Sequence, residues 1–591
     1  MNAPTEKLRN AAPDEIRRSL LSEEYSEIEY YNKNGISYKL CDAAALFVMT
    51  AYLYETPVEK SKKDELRKRA YNAFFSEDRC EFPKAWAMLD MLIKDTPCSD
   101  DIGIKLLKGG SYKIKNYYLE NYNLRDIRGA SVLLTHAEED IIPSMISDRF
   151  IPECIVYSGG GNIFAVVPNS CDERFALELE RAAKELLISA DFAYCVCGGI
   201  TLSDIFGANY RVKMADTEIR LDERKKLIIN CTKNAESKFI GKCISIISEK
   251  TEDCFDAPVR GVHAEKAEIC SACGRRNADY ISGVELLCTA CLHKRAVGDA
   301  AKRSRYINRY NLYNTRTAEP VKKLDDISED YIAVIYGDGN NMGGIIQQFV
   351  KITQMMEFSR DVKNIVDRAV FESMDKHEIT RFEVVGLGGD DIFIIVEGRK
   401  AIRFTISMIR KYNSRFEKYR SSGQVSTMSA GIAVAKTKMP IRIIIDKAEE
   451  MLSEAKGIAK LKPDSCGSLS FEIMDTFDGG ESDTHTTSYG AGYTMLPYYT
   501  DAAEDIAAMA LQFKRDQSRS GLRNVLDAFM NSQSAEEADL FLKYFNVRGK
   551  GTEVKPLPIA GYSVDGGFYT DNNGKKYFVW KDILTMLDFL E

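Results

Sequence analysis

Two short segments of this chain share one pattern: Ser158-Gly159-Gly160-Gly161-Asn162-Ile163-Phe164 and Leu387-Gly388-Gly389-Asp390-Asp391-Ile392-Phe393. Each is a glycine turn running into an apolar stretch, and each follows another short apolar stretch, Cys154–Tyr157 and Phe382–Val385. Both read as β-hairpins. A hairpin that recurs with the same side chains around it predicts an internal duplication. The two turns differ where the acids stand, so the second copy keeps carboxylates that the first has lost.

The surroundings carry the same rhythm. After the first hairpin, 172–188 has helical periodicity, 192–200 is an apolar strand closing in glycines, and 203–227 is helical again. The second copy opens with the strand Tyr331–Tyr336 and the loop Gly337-Asp338-Gly339-Asn340-Asn341-Met342-Gly343, then helices to about Lys376. Its hairpin follows, with strands 382–385 and 392–396, and then the helix 399–419, the strand 426–435 and the helix 441–460. The order strand, helix, strand, strand, helix, strand is the split βαβ arrangement of an α+β protein.

A length of 591 residues gives room for about four compact units at ~150 residues each. Lys and Arg total 80 against 88 Asp and Glu, a net charge of -8, which excludes a protein that grips phosphates over its whole surface and leaves only local basic patches. The start of the chain is charged without a signal-peptide core, and the longest apolar run, Ala43–Tyr54, is too short to cross ~30 Å of hydrocarbon. It reads as a buried helix. The charge run Lys60–Arg69 reads as a solvated helix face. Fifteen scattered cysteines, four of them at metal spacing, fit a reducing cytoplasm.

Asp338 directly follows a β-branched, aromatic strand, and Asp390 and Asp391 occupy a turn between two others. If those strands are neighbours, the carboxylates meet at one sheet edge. Such a cluster suits Mg²⁺, which takes one or two carboxylates and completes its octahedron with phosphate oxygens and water. Gly388 and Gly389 let a nucleotide approach the backbone. Lys456, on the last helix, is placed to reach a triphosphate as a point charge, although most helical lysines are simply solvated.

Between the copies, Cys270, Cys273, Cys288 and Cys291 form C-x2-C-x14-C-x2-C, two knuckles with the spacing of a closed, structural Zn²⁺ site. Just beyond, Lys294, Arg295, Lys302, Arg303, Arg305 and Arg309 interleave with Tyr306, Tyr310 and Tyr313. The stretch reads either as a surface that pairs phosphates and stacks bases or as a solvated amphipathic helix. Gly479–Gly492 reads as a linker, 501–545 as a helical bundle, and 567–579 as a hairpin turning at Asn573-Gly574.

Taken jointly, Gly337–Gly343, Gly388–Asp391, the cysteine knuckles and Met428–Ala433 followed by Ala448–Lys456 resemble the large polymerase-like subunit of type III CRISPR RNA-guided complexes, over about 101–591. Leu124–Ser131 ahead of Tyr157–Gly160 is similar to that family's degenerate first palm. The resemblance implies two ferredoxin-like palm domains of nucleotidyl cyclase type, separated by a zinc-binding module, with helical N- and C-terminal domains. The boundaries it suggests are 1–100 for an N-terminal helical domain, 101–250 for palm 1 and 251–320 for the zinc module with its basic helical linker. Palm 2 then takes 321–475, and 476–591 holds the linker, helices and terminal hairpin. It further implies that nucleotides bind between the palms, with Gly339, Asn341 and Ser158 joining Gly388, Gly389 and Lys456 as contacts. Palm 2 is implied to use Mg²⁺ (or Mn²⁺) on Asp338, Asp390 and Asp391 to join ATP into cyclic oligoadenylate when target RNA is bound. Guide RNA, target RNA and the other effector subunits are the implied partners, in the cytoplasm and away from any membrane.

Two departures qualify this. Many relatives carry an HD nuclease domain, but none of the five histidines is followed by Asp and none lies in the first hundred residues, so no DNase is expected. Asn340 stands where relatives often have a further Asp, which leaves the product open. Some relatives without the HD domain instead join AMP to S-adenosylmethionine. A diguanylate cyclase shares the palm and a similar turn but lacks a zinc-linked degenerate copy. A scaffold that only docks RNA and partners has no need of three convergent acids.

Overall fold

A computed structural model describes residues 11–22, 28–31, 37–94, 101–121, 123–207, 209–226, 262–263, 268–300, 305–422, 426–461, 466–474, 487–516, 518–548 and 554–590. The chain divides into two compact units. One comprises 1–121, 126–300 and 346–363; the other comprises 122–125, 301–345 and 364–591.

The first unit opens with helices. Leu40–Glu55 carries the long apolar run, with Phe47 and Val48 fully buried, as the sequence led us to expect. The next helix, Lys60–Ser76, departs from its reading as a solvated face. Lys63 Nζ donates to the carbonyls of Asp148 (3.0 Å) and Arg149 (2.8 Å), at the C-terminal end of the helix Ile142–Arg149 where orphan carbonyls need donors. Arg67 is buried between Glu153 (2.8 Å) and Asp14 (2.7 Å). Within a single charge run, part therefore faces water and part anchors the fold. The segment 346–363 groups with this unit because Arg360 forms a bidentate pair with buried Asp42, Lys351 Nζ reaches the carbonyl of Leu92 (3.1 Å), and Lys363 reaches Glu139 (3.1 Å).

Its main sheet contains β1 (Gly103–Tyr112), β2 (Ile155–Gly159), β3 (Asn162–Pro168) and β4 (Asp191–Thr201), in the order β2-β3-β1-β4 and antiparallel throughout. The helices α1 (Leu124–His136), α2 (Glu173–Leu187) and α3 (Tyr210–Lys226) complete the pattern. The hairpin β2–β3 and the elements after it match the sequence reading. The strand β1 does not appear in that reading: its interior Gly109-Gly110 weakens the strand signal, and Gly109 is required because a side chain there would meet the backbone of Ala193 at 2.3 Å.

The second unit holds a six-stranded sheet. Its strands are β5 (Tyr331–Gly339), β6 (Glu383–Gly388), β7 (Asp391–Glu397), β8 (Met428–Lys436), β9 (Ser468–Met474) and β10 (Tyr498–Tyr499), in the order β6-β7-β5-β8-β9-β10. The first four repeat the order of the first sheet. Residues 332–335 are fully buried because the sheet is covered on both faces. On one face lies α6 (Ile441–Leu461), against Gly431; on the other lies α5 (Ala401–Phe416), whose Tyr412 hydroxyl meets Gly339. The helix α4 (Ile352–Lys376) runs ahead of β6. The sequence reading did not include β9 and β10, which extend the split βαβ core on the far side of β8.

The basic stretch is corrected. Lys294 and Arg295 are buried, Arg295 forming a bidentate pair with Asp126, and both Tyr306 and Tyr310 are buried. Arg309 pairs with Asp367 at 2.9 Å. These three charges are paired inside the protein and leave no phosphate-binding face of their own, while Asn308, Asn311 and Leu312 on the helix Arg305–Tyr313 are exposed, so that helix is amphipathic; Lys302, Arg303 and the side chain of Arg305 lie outside the described residues. The linker reading is corrected in part. Residues 479–486 lie outside the described residues, but Gly492 is bound in place, its N–H donating to Lys576 and its carbonyl accepting from Phe578. The bundle is formed by Thr500–Asp516, Arg519–Asn531 and Ala535–Arg548, and the tail turns at Asn573-Gly574 between Phe568–Thr570 and Lys576–Tyr577. No helix among the described residues is long and apolar enough to cross a membrane.

Two glycines of one region separate packing from propensity. A Cβ on Gly431 would sit 2.1 Å from Leu452 N and 2.2 Å from Ala448 O, both backbone atoms of α6, whereas a Cβ on Gly457 meets nothing within 4 Å. Gly431→Ala should therefore lift α6 from β8 and cost about 2 kcal/mol. Gly457→Ala should be neutral or stabilising by up to ~1 kcal/mol. Denaturant unfolding of the two variants checks the contrast.

Candidate functional site

The central strand β5 pairs with β7 on one side and β8 on the other, so Asp338 emerges beside the hairpin turn. That turn has two central residues. Gly389, at φ +61°, takes the left-handed backbone that its position requires, and Asp390 follows it. Because Gly337 pairs with Ile392, alternation puts Asp391 on the same face as Asp338.

Burial and the neighbouring charge of Asp338 push the Asp390 carboxyl up to about 6, with Lys456 opposing the shift. Lys456, from α6, lies 2.6 Å from Asp338 Oδ2. The Asp390 side chain packs against Gly339, where an added Cβ would come 2.8 Å from its Cβ and 2.5 Å from the Tyr412 hydroxyl. Ser426 Oγ donates to the carbonyl of Asn340 (3.0 Å) and lies 3.3 Å from Tyr412 Oη, which pins the loop after β5. Asn341 turns that loop with φ +62°.

The structure thus brings Asp338, Asp390, Lys456 and Gly339 together. Asp391 is exposed. Among the described residues, the only group of three or more ligating side chains whose atoms lie within 4.8 Å of one another is the cysteine cluster, so the three aspartates are not gathered that closely. Asn340 does not point free: its amide donates to Thr427 Oγ1 (3.0 Å) and Ser429 Oγ (2.9 Å), and its oxygen accepts from Ser429 (3.1 Å). Sequence reasoning missed Tyr412 and Ser426, which carry no motif and act through packing.

Strand register aligns the two turns. Ile163 pairs with Gly109 as Ile392 pairs with Gly337, so Gly110, Gly161 and Asn162 stand where Asp338, Asp390 and Asp391 stand in the other sheet. A different carboxyl enters there. Glu138, from the π-helical turn Ala137–Ile141 after α1, accepts from Ser111 Oγ (3.0 Å) and from the backbone of Gly161. Burial pushes it up to about 7 against those two hydrogen bonds. Ser158 Oγ donates to the Glu138 carbonyl at 2.7 Å.

The four cysteines are gathered by the hairpin Tyr280–Ser282/Glu285–Leu287 and the start of the helix Thr289–Ala300. All are buried, and Cys273 Sγ and Cys288 Sγ are 4.0 Å apart. Thiolates at ~2.3 Å around one tetrahedral ion stand nearly that far from each other, so the donor set fits zinc with no open position.

Residues 331–462 match the family model described as Cas10/Cmr2, second palm domain. That stretch of the chain carries the second palm domain of this family. No curated protein matches it in sequence. Among solved structures, a Csm1-Csm4 cassette in complex with one ATP aligns at a TM-score of 0.54 and 13% identity, covering 99% of this chain and 79% of that one. The cassette in complex with cA3 aligns at 0.53 and 14%, with the same coverage. Csm1 of T. onnurineus aligns at 0.50 and 13%, covering 88% and 73%. At these identities the likeness is one of fold.

Cys273→Ser should lower the zinc retained by the purified chain and its thermal midpoint before it alters any chemistry, because metal binding to such a site contributes folding free energy directly. Metal analysis alongside a thermal melt reads both.

Proposed function

We propose that this Cas10-like chain is the signalling subunit of an RNA-guided antiviral complex, and that its second palm, activated by target RNA, joins ATP by divalent-metal-dependent nucleotidyl transfer, with cyclic oligoadenylate as product. The observation that carries the reading is the pair Asp338 and Asp390 at one strand end, with Lys456 on the same carboxylate. Solved cassettes of similar fold are described in complex with pppApA, pppApApA and cA3, the intermediates and product of such a reaction.

The charge of Asp338 raises the proton affinity of the Asp390 carboxyl, a repulsion that a cation relieves, so the residues fit a metal. Asp338 and Asp390 would hold Mg²⁺ or Mn²⁺, with Asp391 at the rim of the same face. Such an ion activates an attacking hydroxyl and stabilises the pyrophosphate leaving group. The chain's own residues do the rest. The Gly388-Gly389 turn presents backbone to a nucleotide without a side chain in the way, and Gly339 and Asn341 shape the loop opposite. Lys456 offers a positive charge to a phosphate. In the first palm, whose acids are replaced by glycines and Asn162, Ser158 has its proton committed to Glu138 and would accept from a nucleotide rather than donate.

Type III effector subunits are the partners this reading requires. With a net charge of -8 and Lys294, Arg295 and Arg309 paired inside the protein, the grip on guide RNA and target RNA falls mainly to other subunits. The C-terminal helices are the proposed docking face: Leu540, Tyr544 and Val547 follow helical spacing on Ala535–Arg548 and all are exposed.

Asp390→Ala combined with Asp391→Ala should abolish product while the complex still assembles. The expected loss is on the order of a thousandfold, since a metal's charge stabilisation is worth several kcal/mol and each ~1.4 kcal/mol is tenfold. Labelled ATP, given to the assembled complex with and without target RNA, measures it. Parallel reactions with S-adenosylmethionine identify the acceptor. Equal product from the isolated chain regardless of target RNA would replace this reading with a stand-alone cyclase.

A further inference from the structure

Four thiolates around one Zn²⁺ carry two net negative charges, and here all four are buried. Charge taken out of water is costly unless other groups compensate it. The compensation lies outside the cluster. Arg276 Nε donates to Cys288 Sγ at 3.3 Å and its Nη2 to Cys291 Sγ at 3.8 Å. Asn121 Nδ2 donates to Cys291 Sγ at 3.2 Å. The arginine is fixed on the knuckle itself, since its carbonyl accepts from Cys270 N at 2.8 Å.

The same groups lead away from the metal site. Arg276 Nη2 is 2.9 Å from Glu120 Oε2, and the other oxygen of Glu120 accepts from Lys294 Nζ and from Ser189 Oγ (2.6 Å). Lys294, with 1% of its side chain exposed, also donates to the carbonyl of Tyr117 (2.7 Å) and to Asn121 Oδ1 (3.4 Å). Two buried or half-buried cations therefore stand against the thiolates and one carboxylate in a connected network.

We infer that Arg276 and Asn121 form the outer shell of the zinc centre, and that through Glu120 and Lys294 the metal fixes the segment 117–121 that precedes α1 of the first sheet. They are positioning residues: they neutralise and orient the thiolates and ligate nothing. The inference rests on reading the cluster as a zinc site. It goes beyond the four ligands, because it makes a segment about 150 residues before the first cysteine part of the metal's binding free energy. A salt bridge between Arg276 and Glu120 that owed nothing to the metal would leave zinc affinity untouched.

The test uses the zinc-loaded full chain and a chromogenic chelator in competition. Outer-shell donors typically contribute 10- to 100-fold in metal affinity. Arg276→Met and Asn121→Ala should each weaken zinc by about that factor, and Arg276→Lys, which keeps the charge and loses the fork, by less than Arg276→Met. Hydrogen exchange of the wild type should show 117–121 losing protection when zinc is removed. If Arg276→Met does not fold, Asn121→Ala, Arg276→Lys and the exchange experiment still decide. Wild-type chain without zinc would sink the zinc reading itself. Zinc-loaded wild type whose variants bind within twofold of it, or whose 117–121 protection ignores the metal, would overturn this inference alone.

Discussion

The second unit is organised around holding two carboxylates near each other at the end of a buried strand. Left to themselves, Asp338 and Asp390 repel, and burial raises the cost for Asp390 further. They are kept together by structure on both faces of the sheet. On one, α6 delivers Lys456 to Asp338; on the other, Tyr412 and Ser426 fasten the loop that Asp338 opens. The close approach of α6 at Gly431 and the side-chain-free contact at Gly339 serve the same end. Under the proposed function, a cation held by these carboxylates would relieve that repulsion.

The first sheet shows the same framework without that tension. It keeps the strand order and the glycine turn, with Gly160 at φ +60° matching Gly389 at φ +61°, but glycines stand at two of the three acid positions. The space is closed from inside: Ser111 N donates to the Gly161 carbonyl at 2.7 Å, and Glu138 caps the turn from a π-helical insertion. One frame thus carries glycines and Asn162 at its turn, and the other carries the aspartates.

What was legible in the sequence followed from spacing. The cysteine knuckles, the two hairpins and the apolar β5 each rest on residues close in the chain, and each is found where its pattern puts it. What was not legible depends on partners far away. Gly109-Gly110 hid β1 because the need for glycine there comes from Ala193, and β9, Ser468–Met474, alternates polar and apolar residues over only seven positions, a short pattern that acquires meaning beside β8. The basic stretch misled because Lys294 and Arg295 look solvated until Glu120 and Asp126 are brought to them by folding. Asp391, adjacent to Asp390 in sequence, parts from it because Asp390 belongs to the turn while Asp391 opens β7 on the face that Asp338 shares.

The central claim is that Asp338 with Asp390 is a metal-dependent centre for nucleotidyl transfer from ATP. Pyrophosphate release by the assembled, target-bound complex, followed as Mg²⁺ is titrated and compared with Asp338→Asn, tests it most directly. The account predicts release that needs the divalent ion in the wild type and is lost at every Mg²⁺ concentration in the variant. Release that continues in Asp338→Asn, or in wild type stripped of divalent ions, would contradict it.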